Sequence, residues 1–346
     1  MSQTATMSER TNGDLITASF NYYTAKDPPA QDEVTLLTGN SDKLEPFSVQ
    51  VRNIRGYEDM FTINSHGFQI LKNSSSLLSP AQPDGAVDFH DSGLIKSKYW
   101  PEITALLKES FGARVAVAMN ITVRDVVTLD TGSFDPINPR AKHAMSFAPF
   151  FVVHGDYTAE GARAHLRAVA PTFFEGLGSA PYIMPEERET FFKLHSEVVA
   201  AQDAAMKEAG VDDARWDGSN YAGPRWGMFS VWRPLSTVRR HPLAIMNPRD
   251  LGPFVELHRV YRSRPGFVEE YKTTNLFARG PKGKQHRWYY LPEQKVDEVY
   301  AIKLFDSDSQ KKNGPVFGAP HSAFDIEDTN HLPARRSVEC RAIVIW

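Results

Sequence analysis

A short polar motif at the end of an apolar run is the feature of this sequence that most constrains its fold. Residues 151–158 read FVVHGDYT, so the apolar run ends in His154-Gly155-Asp156. Alternate residues of a β-strand point to the same face, and the pattern therefore predicts that His154 and Asp156 face one cavity. A second histidine, His321, follows in a compact loop bounded by Gly and Pro. A fold that uses both histidines must bring two distant parts of the chain to one place.

The side chains of His154, Asp156 and His321 are the donor set that holds ferrous iron in many oxygenases. Two imidazoles and one carboxylate form a facial triad, which leaves coordination positions open for other ligands. We therefore predict these three residues as the metal ligands and the catalytic centre. The alternative is two unrelated histidines, one packed in the core and one capping a loop.

Strand-like segments dominate the rest of the chain. They are rich in β-branched and aromatic residues, and they include residues 114–123, 225–235, 298–305 and 337–346. Successive strands that enclose a polar cluster favour a barrel or jelly roll. A capping residue at Thr158 and a helix start at Pro185 predict two helices, so that residues 159–217 form a helical insertion. The predicted fold is mainly β with added helices.

Composition narrows the class of protein. A net charge of -3 argues against a nucleic-acid binder, and no apolar run approaches the roughly 20 residues of a membrane span. The single cysteine, Cys340, excludes an internal disulfide framework and a multi-cysteine metal site. Residues 1–14 are polar and lack the apolar centre of a signal peptide. We predict a cytoplasmic protein with a disordered leader at 1–14 and a single domain over 15–346, without a nucleic-acid or membrane partner.

The final strand offers a candidate site for an organic co-substrate. Open iron sites of this kind commonly bind 2-oxoglutarate, whose far carboxylate needs a cation, and the planar fork of arginine pairs with a carboxylate through two bonds. If the strand begins as early as Arg335, parity places Arg335, Ser337, Glu339 and Arg341 on one face, while Val338, Cys340, Ala342 and Val344 fill a sheet interface. Arg335 with Ser337 is the favoured pair for the carboxylate. Arg341 is the alternative, unless it forms an ion pair with Glu339.

Four residues are candidate substrate contacts: Trp226, Trp232, Arg233 and Tyr289. The aromatic side chains equally suit the core, and Arg233 equally suits an ordinary salt bridge.

The order of several motifs resembles that of a known group of enzymes. The matching stretches are RGYED at 55–59, HGF at 66–68, HGD at 154–156 with GAR at 161–163, VWRPL at 231–235, WYYLP at 288–292, KLFDS at 303–307, PHSAF at 320–324 and the run 335–341. Together they extend over nearly the whole chain beyond the leader. The chain resembles iron- and 2-oxoglutarate-dependent oxygenases, and more narrowly the group that contains the gibberellin desaturase, the AsaB-type hydroxylase/desaturase and the cephem methoxylase-related (CmcJ-like) proteins.

The resemblance implies a double-stranded β-helix, which is a cupin-like jelly roll, and the oxidation of a small molecule. The reaction would be hydroxylation, desaturation or oxidative cyclisation in secondary metabolism, with Fe(II), 2-oxoglutarate and O2. The resemblance assigns His154, Asp156 and His321 to the iron, and Arg335 with Ser337 to 2-oxoglutarate. Two alternatives stay open: a cupin-like iron dioxygenase that does not use 2-oxoglutarate, and a catalytically inactive binding protein on the same fold.

Overall fold

The structure, a computed structural model, describes most of the chain. The described residues are 15–24, 43–78, 89, 91–125, 148–169, 182–252, 254–262, 270–283 and 285–346. The leader predicted at residues 1–14 lies outside them. No helix in these ranges is long and apolar enough to cross a membrane.

Thirteen strands and four α-helical segments lie within the described ranges. The strands are β1 (Leu15–Tyr23), β2 (Leu44–Asn53), β3 (Phe68–Lys72), β4 (Val115–Arg124), β5 (His154–Gly155), β6 (Trp226–Pro234), β7 (Leu243–Met246), β8 (Phe254–Arg262), β9 (Glu270–Ala278), β10 (Trp288–Tyr290), β11 (Glu298–Asp306), β12 (His321–Ala323) and β13 (Ser337–Ile345). The helices are α1 (Ser92–Leu94), α2 (Trp100–Phe111), α3 (Ala159–Ala168) and α4 (Arg188–Ala209).

The strands form two sheets that face each other across an apolar core. In the described residues one sheet has the order β1-β2-β10-β7-β12-β5-β9-β8, and the other has the order β3-β11-β6-β13-β4. Both sheets contribute buried side chains to one cluster, which includes Trp232 and Ile343 from the five-stranded sheet and Ile245 and Tyr289 from the eight-stranded sheet. Facing sheets with a shared core are the architecture of a jelly roll.

The final strand, β13, has two different faces. Val338, Cys340, Ala342 and Val344 lie in a second apolar cluster together with the buried face of α2, as strand parity predicts. The intervening residues face the eight-stranded sheet, where Ile343 joins the shared core. The single cysteine is therefore a buried apolar residue of the sheet-helix interface.

Two helices occupy the predicted insertion. Helix α3 begins after Thr158, whose hydroxyl accepts a hydrogen bond from the N–H of Gly161 at 3.1 Å, as the capping pattern predicts. Helix α4 ends at Gly210, whose φ of 66° is left-handed. Apolar side chains of both helices, among them Leu166 and Leu194, pack into the shared core. The assignment of residues 159–217 as an insertion stays a prediction.

Gly67 lies against the segment that leads to His321. Its φ is 75°, and a Cβ at this position would lie 2.9 Å from the Cβ of Ala319. The carbonyl of Gly67 accepts from the N–H of Lys303 at 2.7 Å, and the carbonyl of Lys303 accepts from the N–H of Ala319 at 2.9 Å. The absence of a side chain at Gly67 therefore allows three chain segments to approach each other.

We expect Gly67→Ala to lower the free energy of unfolding by about 1–3 kcal/mol, because a left-handed alanine is strained and its Cβ would also displace Ala319. Gly56→Ala is the matched control. Gly56 also has a left-handed φ, of 85°, but a Cβ at Gly56 would meet no atom within 4 Å. Urea unfolding of both variants measures the difference. Equal losses in the two variants would show that the contact with Ala319 has no energetic consequence.

A carboxylate at the start of β11 joins three parts of the chain. Glu298 accepts hydrogen bonds from Arg55 Nη2 at 3.0 Å, from Lys72 Nζ at 2.9 Å and from the N–H of Lys295 at 2.8 Å. Burial raises the pKa of Glu298, but the hydrogen bonds from Arg55, Lys295 and Lys72 outweigh burial and lower this pKa from 4.5 to about 2. The ionised carboxylate is therefore the form that the fold stabilises.

This shift makes stability depend on pH in a defined direction. A carboxyl group whose pKa is lower in the folded chain stabilises the fold fully above its unfolded pKa of 4.5, and the contribution is lost as the pH falls towards about 2. We expect Glu298→Gln to be less stable than the wild type above pH 4.5, with the difference shrinking at lower pH. Glu293→Gln, at a largely exposed carboxylate nearby, is the control. A difference that stays constant across this range in urea titrations would contradict the assignment.

Candidate metal centre

Two short strands of the eight-stranded sheet bring the predicted histidines together. Strands β5 and β12 are antiparallel, and His154 lies directly opposite His321. The centroids of the two rings are 4.6 Å apart. Asp156 follows β5, and its Oδ1 lies 3.8 Å from Nε2 of His154. One donor atom from each of the three residues lies within 4.8 Å of the other two.

Backbone carbonyls fix the orientation of both imidazoles. Nδ1 of His154 is 2.7 Å from the carbonyl oxygen of Val152, and Nδ1 of His321 is 3.1 Å from that of Ala319. A carbonyl oxygen only accepts hydrogen bonds, so each Nδ1 carries the proton and each Nε2 keeps its lone pair. Metal-binding histidines characteristically have this arrangement, in which the second nitrogen is tied to a carbonyl or carboxylate.

The cluster is almost closed to solvent. The side chain of His154 is 14% exposed and that of Asp156 is 4% exposed, and His321 is buried. Burial, reinforced by the neighbouring ring of His321, lowers the pKa of His154 well below its ordinary value. A neutral imidazole is the form that binds a metal, so the surroundings favour ligation.

Asp156 is held by an arginine of the final strand. Nη2 of Arg341 donates to Oδ1 of Asp156 at 2.8 Å, and Nε of Arg341 donates to Oε1 of Glu339 at 2.9 Å. Burial disfavours the charged guanidinium, yet the carboxylates of Asp156 and Glu339 outweigh it and raise the pKa of Arg341 well above its ordinary value. The structure thus contains the ion pair between Arg341 and Glu339, which was the alternative to a role of Arg341 in binding 2-oxoglutarate.

Arg335 is a buried cation with unused hydrogen-bonding capacity. It is 3% exposed, its Nη1 donates to the carbonyl of His241 at 2.7 Å, and its guanidinium lies 5.2 Å from the ring centroid of Trp232. Among the described residues, neither Nε of Arg335 nor the buried hydroxyl of Ser337 has a hydrogen-bond partner. Burial, then the charge of nearby Arg124, lowers the pKa of Arg335 to about 9. Both features favour the binding of an anion at this position.

The predicted substrate contacts divide into two groups. Trp232 and Tyr289 belong to the core between the sheets. Ile245 of β7 pairs with His321 on one side and with Tyr289 on the other, so Tyr289 lies two strands away from His321. Trp226 belongs to the same core but lies opposite Ile345 at the other end of β13, about 20 Å along the strand from Trp232. Its indole packs on Phe305 with centroids 4.6 Å apart, so the structural alternative holds for Trp226.

Arg233 corrects one of the predicted substrate contacts. It is fully buried, and its Nη1 donates to the carbonyls of Asn73 at 2.6 Å and Val296 at 3.0 Å. Its guanidinium lies near the ring of Tyr99, which belongs to the cluster under α2. Successive strand residues face opposite ways, and because Trp232 faces the metal side of the sheet, Arg233 faces away from it. Among the described residues, its hydrogen-bond partners are oxygens of Asn73 and Val296, and no carboxylate there forms a salt bridge with it.

Arg124 is a site residue that sequence reasoning missed. Its Nη1 donates to the carbonyl of Ala148 at 2.9 Å, and its Nη2 is 3.9 Å from Oε2 of Glu339. The sequence feature that could have indicated Arg124 is its position directly after the predicted buried strand 114–123; in the structure, Arg124 is the last residue of β4. Nothing local indicates that this strand end meets Glu339.

Comparison with known families agrees with this geometry. The family model described as "Oxidoreductase/YMDC permease-like domain" matches residues 10–183 and 187–345. The chain belongs to this family. The matched residues include His154, Asp156, His321 and the final strand up to Ile345.

Curated relatives resemble the chain, two of the three described here over nearly its full length. The "Gibberellin cluster GA4 desaturase" of Gibberella fujikuroi is 26% identical over 96% of this chain and 96% of the relative. The "Alpha-ketoglutarate-dependent dioxygenase tstK" of Talaromyces stipitatus is 25% identical, with 92% of each chain covered. The "Hydroxylase/desaturase asaB" of Aspergillus flavus is 30% identical over 35% of this chain and 56% of the relative. The predicted resemblance to this group of enzymes is confirmed.

A solved structure shares the fold. The "iron and alpha-ketoglutarate-dependent endoperoxidase NvfI" superposes with a TM-score of 0.57 at 21% identity, over 96% of this chain and 98% of the other. The predicted jelly-roll fold is thereby confirmed.

Proposed function

We propose that this protein is an Fe(II)- and 2-oxoglutarate-dependent oxygenase that oxidises a small molecule. The observation that carries the proposal is the cluster of His154, Asp156 and His321, in which two oriented imidazoles and one carboxylate converge within 4.8 Å. Relatives named as a desaturase, a hydroxylase/desaturase and an alpha-ketoglutarate-dependent dioxygenase support the reaction class. Hydroxylation, desaturation and oxidative cyclisation all remain within that class.

The donor set fits Fe(II). In both histidines Nδ1 hydrogen-bonds to a backbone carbonyl, which leaves the lone pair of Nε2 for a metal. Two histidines and one carboxylate are the typical ligands of non-heme Fe(II) oxygenases. In this proposal His154, Asp156 and His321 hold the metal. The bound iron would supply the redox chemistry with O2 and 2-oxoglutarate.

The residues around Arg335 fit a carboxylate. The unused Nε of Arg335 and the hydroxyl of Ser337 are both buried and available, whereas Arg341 already serves Asp156 and Glu339. We assign the far carboxylate of 2-oxoglutarate to Arg335 and Ser337. Arg341 keeps its two carboxylate partners and is not needed for that role.

The remaining contribution of the chain is orientation and exclusion of water. The nearly closed cluster and the aromatic side chains of Trp232 and Tyr289 keep the reacting region dry, which strengthens each charge interaction within it. We propose Trp232 and Tyr289 as the residues nearest to a bound substrate, and Trp226 as a core residue. We further propose that residues 15–346 act as one oxygenase domain.

Anaerobic reconstitution with Fe(II) and 2-oxoglutarate tests the function. We expect an optical band when both are bound, a shift of that band with a productive small molecule, and formation of succinate after addition of O2. Bound iron with O2 uptake but no succinate would indicate an iron dioxygenase that does not use 2-oxoglutarate. Neither metal binding nor O2 uptake would indicate a binding protein on the same fold.

A further inference from the structure

We propose that Arg341 is a positioning residue for the metal centre. It holds the carboxylate of Asp156 in one orientation, so that Asp156 binds the metal through one oxygen and does not close a second coordination position. This inference rests on the proposed function, because it concerns the same three ligands. It adds a residue that contacts neither the metal nor 2-oxoglutarate, and whose effect would pass entirely through Asp156.

The two hydrogen bonds of Arg341 fix the plane of its guanidinium. Nη2 donates to Asp156 and Nε donates to Glu339, so two separate nitrogens of one rigid planar group are engaged by two carboxylates. The guanidinium also lies over the ring of Tyr157, 5.8 Å from its centroid. A lysine could reach one carboxylate, but its single nitrogen cannot reproduce the fixed plane.

Glu339 is itself anchored, which gives the arrangement a second fixed end. Oε2 of Glu339 lies 3.9 Å from Nη2 of Arg124, and Nη1 of Arg124 donates to the carbonyl of Ala148 at 2.9 Å. Ala148 precedes the segment that carries His154. The network therefore starts at Asp156, crosses β13 and β4, and returns to the backbone just ahead of the metal-binding motif.

The sheet is irregular in strand β4, next to Arg341. The register of β13 against β4 shifts between Arg341 and Ala342, where Arg341 is opposite Asn120 and Ala342 is opposite Ala118. A bulge of this kind changes the direction of side chains and is frequent beside active sites. The extra residue is Met119 of β4, because β13 keeps an unbroken register with β6 through Arg341. The irregularity therefore lies in the strand beside Arg341 and not in the strand that carries it.

The network would be costly if it served stability alone. It places two guanidinium groups, of Arg124 and Arg341, with two carboxylates, of Asp156 and Glu339, in a largely buried region. Apolar side chains of similar volume often replace such buried ion pairs without loss of stability. A carboxylate ligand can bind a cation through one oxygen or two. Arg341 fixes the carboxylate through Oδ1, the oxygen that lies 3.8 Å from Nε2 of His154, and so limits the rotation that would bring both oxygens to one cation. Control of this mode gives the network a function that apolar packing cannot supply.

Titration with Co(II) tests the inference without turnover, because its visible d–d bands report coordination number. We expect wild type to bind Co(II), and Arg341→Met to bind it about 10–100-fold more weakly, the range typical for loss of an outer hydrogen-bond partner. We also expect Arg341→Met to change the intensity of the d–d bands, and Arg341→Lys to recover part of the affinity. A stability change alone would not alter the spectrum of the bound metal.

Arg163→Met is the matched control. Arg163 is also a buried arginine, but its guanidinium is ion-paired with Asp213, donates to the carbonyl of Asp213 at 2.8 Å and is stacked on Trp216. We expect its Co(II) affinity and spectrum to equal those of wild type. If Arg341→Met does not fold, Arg341→Lys alone decides. Wild-type affinity and an unchanged spectrum in the Arg341 variants would overturn the inference, whereas failure of wild type to bind Co(II) would overturn the proposed function and the inference with it.

Discussion

Replacement of either metal-cluster histidine by alanine is expected to abolish metal retention and turnover while leaving the fold intact. His154→Ala and His321→Ala each remove one of three ligands and leave an incomplete donor set. The loss of metal affinity should exceed the roughly 10–100-fold that removal of an outer hydrogen-bond partner causes. The two variants should behave alike, because the rings are direct cross-strand neighbours in the same site.

Metal content after dialysis and succinate formation measure this effect, and circular dichroism with thermal unfolding measures the fold. His331→Ala is the control, since His331 is exposed and lies in a different segment. If His321→Ala kept full metal content and turnover, His321 would be a loop residue and the three-ligand centre would be wrong. If both variants simply failed to fold, glutamine replacements at the same positions would allow the measurement.

Loss of Arg335 is expected to raise the 2-oxoglutarate requirement more than any other single change in the final strand. The contact would be a desolvated charge pair, and truncation of one partner of such a pair costs about 2–5 kcal/mol. That range corresponds to about a 30-fold or greater rise in the dissociation constant for 2-oxoglutarate in Arg335→Ala. Arg335→Lys should recover part of it, because it restores the charge but not the planar fork.

The measurement is a 2-oxoglutarate titration at saturating metal, so that effects on the iron are separated from effects on the co-substrate. Arg336→Ala is the neighbouring control, because the side chain of Arg336 is half-buried whereas that of Arg335 is buried. Ser337→Ala should produce a smaller rise, through loss of a single neutral hydrogen bond of about 0.5–1.5 kcal/mol. A larger rise in Arg341→Ala than in Arg335→Ala would show that the carboxylate site has been assigned to the wrong arginine.

The local periodicity of the sequence predicted a large part of the fold. The alternation in the final strand placed Val338, Cys340, Ala342 and Val344 on one face, and the structure packs all four against the layer of α2. The cap at Thr158 marked a helix start for the same reason, because a cap depends on the backbone of a few adjacent residues. Parity also placed Ser337, Glu339 and Arg341 on one face of β13, whereas Arg335 precedes the strand, which begins at Ser337.

Contacts between distant segments were not predictable in the same way. The backbone acceptor of Arg335 is His241, 94 residues away, and Arg341 reaches Asp156 across 185 residues. Such partners depend on strand order and register, which a single sequence does not encode locally. Arg233 is different, because its error was avoidable: Trp232 and Arg233 are adjacent strand residues, and both cannot face the same side.

The seam between β5 and β12 has a consequence for the unloaded protein. The two strands contribute two and three residues to the sheet, so few backbone hydrogen bonds join them, and the partners lie 167 residues apart along the chain (154 to 321). A cation shared by His154 and His321 would join these two short strands by a further bond. Because a ligand that binds only the native state stabilises it by mass action, cellular iron supply would govern the lifetime of this protein as well as its catalytic competence.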